Sequence, residues 1–145
     1  MRLIGLGRYA ACVAVAGATM FAVGAFFYLV IPLIAPAIPP QFANKCLFRP
    51  WAGWTRIYMA IHPFGFGLVF ATVYVVLLGR GCVAPGWRDG FLYGFGVSLV
   101  GSLPVYLLVF ASFAVSPGII VSWVAQSLCQ YTAAGAAVGV VARRA

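Results

Sequence analysis

The sequence predicts an all-α integral membrane protein, a bundle of four transmembrane helices with an interfacial first loop rich in aromatic and basic residues. Hydrophobic residues make up 65% of the chain and charged residues only 7%, whereas soluble domains contain roughly 25% charged residues. Four uncharged runs reach the roughly 20 residues that a helix needs to cross a bilayer. No segment shows the alternation of apolar and polar residues that is typical of membrane-spanning strands.

The first two spans are predicted over residues 9–35 and 57–79. The first ends before a proline-rich segment, because Pro36 and the prolines behind it cannot continue a helix. Its apolar part exceeds the roughly 7–15 residues of a signal-peptide core, so we interpret it as an uncleaved signal anchor. The second span lies between Arg56 and Arg80.

The last two spans are predicted over residues 90–115 and 118–142. The third follows Asp89, whose carboxylate we interpret as an N-cap for the free N–H groups of the helix start. Pro104 is expected to bend this span. The Ser-Pro-Gly sequence of residues 116–118 favours a turn into the fourth span. Because these connections are short, we expect the helices to pack as antiparallel neighbours in sequence order.

The distribution of basic residues predicts the orientation. Six Lys and Arg residues lie in the two termini and the second loop, and three lie in the first loop. By the positive-inside rule, we expect a multi-pass protein of the bacterial inner membrane with both termini in the cytoplasm. The first loop, from Ile38 to Arg56, mixes aromatic and basic side chains, which favours the headgroup region. We expect a short interfacial helix or turn there.

The positive charge of the chain does not indicate nucleic-acid binding. The formal net charge is +8, but the basic residues stand one or two at a time at the ends of the spans. They form no continuous patch, so we interpret them as topology determinants and partners of anionic headgroups. The expected partners are the lipid bilayer and either other membrane subunits or a second copy of this chain.

Small residues spaced by four predict close helix packing. This spacing places them on one face of a helix, where two backbones can approach and gain dispersion energy. They are Gly90 and Gly94 in the third span, Gly135 and Gly139 in the fourth, and Ala14, Ala18 and Ala22 in the first.

A polar seam is predicted between the third and fourth spans, because polar side chains recur every four residues in both and should not face lipid. We interpret them as interhelical hydrogen bonds worth about 0.6–2 kcal/mol each. The alternative is a path for a small uncharged solute, or a ligand cleft. The seam residues are Ser98 and Ser102 in the third span, and Ser122, Gln126 and Gln130 in the fourth.

His62 is the only histidine, and it stands six residues beyond Arg56, which is about 9 Å deeper along a helix. Pro63 follows it and leaves a backbone carbonyl without a donor. We interpret the imidazole as neutral and hydrogen-bonded near the outer interface, with a proton relay or an axial haem ligand as functional alternatives. Ionisable groups within a membrane are functional candidates, so His62 is the first candidate for a site.

The other chemistry-bearing residues are few. One acidic residue excludes paired-carboxylate hydrolysis and a metal cage of hard oxygen ligands built by this chain alone. Four cysteines without Cys-x-x-Cys spacing exclude the thioredoxin-like and zinc motifs. We therefore predict no catalytic residues, no metal site and no cofactor. The expected function is a non-enzymatic subunit, assembly factor or scaffold of a membrane complex. The alternatives are an oligomeric transporter or channel for small solutes, and a membrane haem protein or enzyme that uses His62.

Overall fold

The computed structural model describes residues 5–48 and 52–143, which contain helices and no strands. The predicted all-α class and the number of long helices are confirmed. The first three long helices have the length and apolar composition needed to cross a membrane. The long helices are α1 (Leu6–Ile34), α2 (Trp54–Gly79), α3 (Trp87–Ser112) and α4 (Pro117–Arg143).

The helix ends differ from the predicted ones by up to three residues, for local reasons. The helices start earlier than predicted. The prediction placed the first three starts next to the basic residues that border an apolar run, but Lys and Arg are good helix formers and can belong to the first turn. Pro36 disfavours a helical residue before it, so α1 ends at Ile34. Gly81 ends α2 in a Schellman motif, with a φ of 73° and two loop N–H groups bonded to carbonyls of the last turn.

α3 contains a π-helical turn at Ser98–Ser102. The N–H of Leu103 donates to the carbonyl of Ser98, five residues back. Pro104 follows at once and has no N–H, so the regular hydrogen-bond ladder is interrupted there. The irregularity expected from Pro104 is thus an extra residue in one turn, a feature that is frequent at functional sites.

The helices contact their neighbours in sequence, but not all at the same distance. The closest backbone approaches join α1 to α2, α1 to α4, and α3 to α4. α2 and α3 meet through aromatic side chains instead. Tyr93 packs on Phe70 with 4.7 Å between ring centroids, and its hydroxyl donates to the Phe70 carbonyl. α2 and α3 are therefore neighbours, as the short connection predicted, but these rings hold the two backbones apart.

Two hydrophobic clusters fill the bundle, one at each end. The larger contains Cys12 near the start of α1, Tyr74 of α2 and Ala142 near the end of α4. The smaller contains Ile38 of the first loop and Ile119 near the start of α4. Because the start of α1 and the end of α4 share a cluster, they lie at the same end of the bundle. The first loop lies at the opposite end.

The first loop folds over the start of α4. It contains a short 3₁₀ helix at Pro39–Ala43, which begins with two prolines whose fixed φ suits a helix start. Phe42 and Phe48 pack on Trp123, with centroid distances of 6.3 and 6.2 Å. The loop is thus held to the bundle by aromatic contacts. The aromatic and basic residues that lie outside the described residues are Arg2, Arg49, Trp51 and Arg144.

Candidate functional site

Gln130 joins α4 to α1 through a hydrogen bond near the middle of both helices. Its Nε2 atom donates to the backbone carbonyl of Met20 over 2.8 Å. Glycine at position 24 leaves room for this bond, since a Cβ there would stand only 2.7 Å from the same Nε2 atom and the carboxamide would have to shift. Gly24 lies one turn after Met20, so its N–H occupies one lone pair of the Met20 carbonyl. Because glycine has no side chain, the second lone pair of this carbonyl stays accessible to Gln130.

The predicted seam between the third and fourth spans is wrong for its glutamines, because they face α1. The Nε2 of Gln126 lies 3.6 Å from the Cβ position of Gly24, on the same side as Gln130. Ser122 is buried, but its hydroxyl donates to the Ile119 carbonyl of its own helix. The spacing of four defines a face of α4, but it does not define which helix covers that face.

α3 and α4 share other polar contacts. The hydroxyl oxygens of Tyr106 and Ser127 are 2.6 Å apart. Ser98 is buried at the start of the π turn, and this turn, which ends at Ser102, lies against α4. A polar contact therefore does join α3 to α4, as the seam required, but it is formed by Tyr106 and Ser127, which were not among the predicted seam residues. The available signal was the tendency of buried tyrosines to seek a partner for the hydroxyl.

α3 and α4 also touch backbone to backbone at glycines. A Cβ built at Gly90 or at Gly135 would overlap the carbonyl oxygen of the other glycine. Cβ atoms at Gly94 and Gly139 would likewise overlap carbonyl oxygens of the facing segment. The two small-residue faces singled out in the sequence thus lie against each other within one chain.

α1 packs on α2 through Gly17 and Gly67, and the predicted alanine stripe is not the contact. A Cβ at Gly67 would stand 2.6 Å from the Gly17 nitrogen. Ala14, Ala18 and Ala22 are exposed. The stripe is therefore wrong as a contact within this chain, because α1 carries small residues on more than one face and spacing does not choose between them.

Asp89 lies in the first turn of α3 but is not its N-cap. The cap position belongs to Gly86, and no side chain bonds there. The predicted cap is therefore wrong, because the helix begins with Trp87, two residues before the carboxylate. Asp89 still complements the positive end of the helix dipole from the first turn.

An aromatic stripe runs along α2, and its signal in the sequence is five rings at a spacing of four. Towards the end of α2 the stripe is covered, since Tyr131 stacks on Phe70 at 5.9 Å and Tyr93 contacts Tyr74 at 5.3 Å. Towards the start of α2 its three rings are exposed. We call these the covered half and the open half. The stripe consists of Tyr58, His62 and Phe66 in the open half and of Phe70 and Tyr74 in the covered half.

His62 lies in the open half, where its ring centroid is 5.9 Å from Tyr58 and 5.4 Å from Phe66. Its side chain is exposed, and its imidazole has no hydrogen bond to the part of the chain that the structure describes. The predicted hydrogen bond of His62 is therefore not formed within the described residues. A cleft of about 20 Å³ lies beside it, enough for about one water molecule. The cleft is lined by Met20, His62, Pro63, Phe66, Gln130 and Tyr131.

A larger pocket of about 150 Å³ lies between the first loop and the start of α4. The polar side chains that line this pocket form hydrogen bonds with nearby backbone groups. Gln41 donates to the Ala37 carbonyl, and Asn44 accepts from the N–H of Cys46. The Ile119 N–H at the start of α4 donates to both the carbonyl and the hydroxyl of Ser116. These bonds hold the loop conformation.

Over residues 5–48 and 52–143, no three His, Cys, Asp or Glu side chains come together to hold a metal ion. The residues with polar side chains that line the cleft are His62, Gln130 and Tyr131. Comparisons of the chain with protein-family models, with characterised proteins and with solved structures found no match.

Proposed function

We propose that this chain is a four-span protein of the bacterial inner membrane, acting as a non-enzymatic subunit, assembly factor or scaffold of a membrane complex. The composition of α1, α2 and α3 supports insertion of these helices. α4 is more polar, but Gln130 and Ser127 bond to neighbouring helices of the bundle. An inserted α4 therefore satisfies these polar groups away from lipid.

The proposed orientation has both termini in the cytoplasm. The start of α1 and the end of α4 share one end of the bundle, and the termini and second loop carry six of the nine basic residues. An excess of basic residues favours the cytoplasmic side. The first loop, with the exposed Lys45, then lies on the outer surface.

The free start of α2 is the observation that carries the subunit proposal. Residues 56–62 are all exposed, although seven residues cover nearly two turns and every side of the helix. Apolar side chains predominate there, with Ile57, Tyr58 and Ile61 exposed by 47%, 65% and 61%. A helix that is apolar all round is typically enclosed. The side of the segment that carries Ile57 and Ile61 therefore offers a partner helix an unobstructed surface.

The interior contacts support a structural role over a transport path. The Gln130 carboxamide is bonded to the Met20 carbonyl, and Tyr106 is paired with Ser127. Each of these bonds ties two helices together. A solute that passed between these helices would have to break these bonds.

Site-specific crosslinking tests the subunit proposal. A photoreactive residue replaces Ile61, and in a control it replaces Leu107 of α3, which is similarly exposed at 56%. The protein is then purified in mild detergent and its mass and absorbance are measured. We expect a co-purifying membrane chain that crosslinks from position 61 and not from position 107. Lipid adducts alone at both positions would contradict the subunit role, and a haem absorbance band would support the His62 alternative.

A further inference from the structure

We infer that the open half of the aromatic stripe, together with the cleft beside His62, binds a lipid-soluble molecule that has a planar conjugated ring and a carbonyl oxygen, as quinones do. This ligand site goes beyond the structural role proposed above. It places a ring on Tyr58, His62 and Phe66 and a carbonyl oxygen in the cleft.

In the covered half of the stripe, an aromatic ring from another helix packs on the rings of α2, and this packing indicates what kind of group fits the open half. Tyr93 lies 4.7 Å from the Phe70 centroid and 5.3 Å from that of Tyr74. These separations are the favourable ones for aromatic pairs. In the open half, successive rings of the stripe lie 5.4–5.9 Å apart, and Phe66 also contacts Tyr131 at 5.8 Å. The three rings of this half are nevertheless exposed. A flat ring bound there repeats the packing that Tyr93 provides in the covered half.

The groups around the cleft require a ligand that accepts hydrogen bonds. An imidazole carries at least one N–H, and His62 has no hydrogen-bond partner among the described residues. Gln130 uses one of its two amide hydrogens on Met20 and keeps the other. Tyr131 also lines the cleft, and its phenol carries a hydroxyl that can donate. An unbonded N–H in the hydrocarbon region is costly, so a carbonyl oxygen at this point is favourable.

The size of the cleft decides how the ligand is placed. A volume of about 20 Å³ admits one oxygen atom and no ring. The ring therefore stays at the mouth of the cleft, on the exposed faces of Tyr58 and Phe66. The ligand reaches it from the side of the bundle, since α2 and α3 do not pack backbone to backbone. Lateral entry selects an uncharged molecule that dissolves in lipid.

The π turn of α3 agrees with a binding role for this part of the bundle. The turn lies against α4, the helix whose Gln130 and Tyr131 line the cleft. π turns are frequent at functional sites.

The test uses His62 itself as the reporter. Because it is the only histidine, protein labelled with ¹⁵N-histidine and purified without a histidine tag gives the signals of one imidazole. Decylubiquinone is titrated into phosphatidylcholine nanodiscs that contain the full chain. We expect a saturable shift of these signals at one molecule per chain. Decylbenzene, with the same tail and a ring without carbonyls, should give no saturable shift.

Two matched variants locate the site. Tyr131→Phe removes the hydroxyl of a residue that lines the cleft and keeps its ring, so the Kd for decylubiquinone should rise about tenfold. Tyr9→Phe removes a hydroxyl that bonds with Thr72 away from the cleft, and should leave the Kd unchanged. A shift that never saturates, an equal shift with decylbenzene, or equal Kd values in the two variants would overturn the inference. If Tyr131→Phe does not fold, the comparison of the two ligands decides alone.

Discussion

The glycine contact between α3 and α4 gives a prediction whose magnitude follows from the geometry. Gly90→Ala places a methyl group where the Gly135 carbonyl oxygen stands. The obstacle is backbone, so it cannot rotate away as a side chain would, and the two helices must separate. Overpacking costs about 1–3 kcal/mol, and a rigid obstacle favours the upper part of that range. Alanine recovers up to about 1 kcal/mol of helix propensity. We expect the free energy of unfolding to fall by about 2 kcal/mol.

Gly96→Ala is the matched control, because it changes the same residue type in the same helix. A Cβ at Gly96 meets nothing within 4 Å, so only the gain in propensity applies. We expect the free energy of unfolding to rise by up to about 1 kcal/mol. Both variants are unfolded by sodium dodecyl sulfate in mixed dodecylmaltoside micelles and followed by circular dichroism. Equal stability of the two variants would refute the close approach of α3 and α4 at Gly90.

Three further outcomes are expected. Cys46 should react with a membrane-impermeant maleimide in intact cells and Cys82 only after the membrane is opened, since both are exposed at opposite ends of the bundle; reversed labelling would contradict the orientation. In the mixed-micelle assay, Gln130→Leu should lower the free energy of unfolding by about 1 kcal/mol, while Gln126→Leu, which loses no hydrogen bond among the described residues, should change it by less than about half of that. Equal losses would contradict the bond to α1. Tyr93→Phe keeps its ring but loses a 2.8 Å bond to α2, so a loss of about 1 kcal/mol is expected; an unchanged stability would show that the rings alone join α2 to α3.

Composition and proline positions predict the helices well, because an apolar run and the prolines that end it determine the conformation of their own segment alone. Pro36 ends α1 near the predicted place, and Pro104 accompanies the irregular turn of α3. The neighbours of each helix are harder to predict. Gln126 and Gln130 share the face that their spacing implies, yet they meet α1 because Gly24 leaves room for an amide there. That choice depends on two distant segments at once.

The candidate site shows the same limit. The spacing of rings along α2 is visible in the sequence, but which half is covered depends on how the helices are held. Gly17 and Gly67 bring α1 against α2, and Gly90 and Gly135 bring α3 against α4. Glycine contacts thus close each pair of helices, and the pairs join where α1 meets α4. The fourth side of the bundle is left to large rings such as Tyr93, which fill one half of it. The open half beside His62 is therefore a consequence of where the glycines bring backbones together, which no periodicity of a single helix contains.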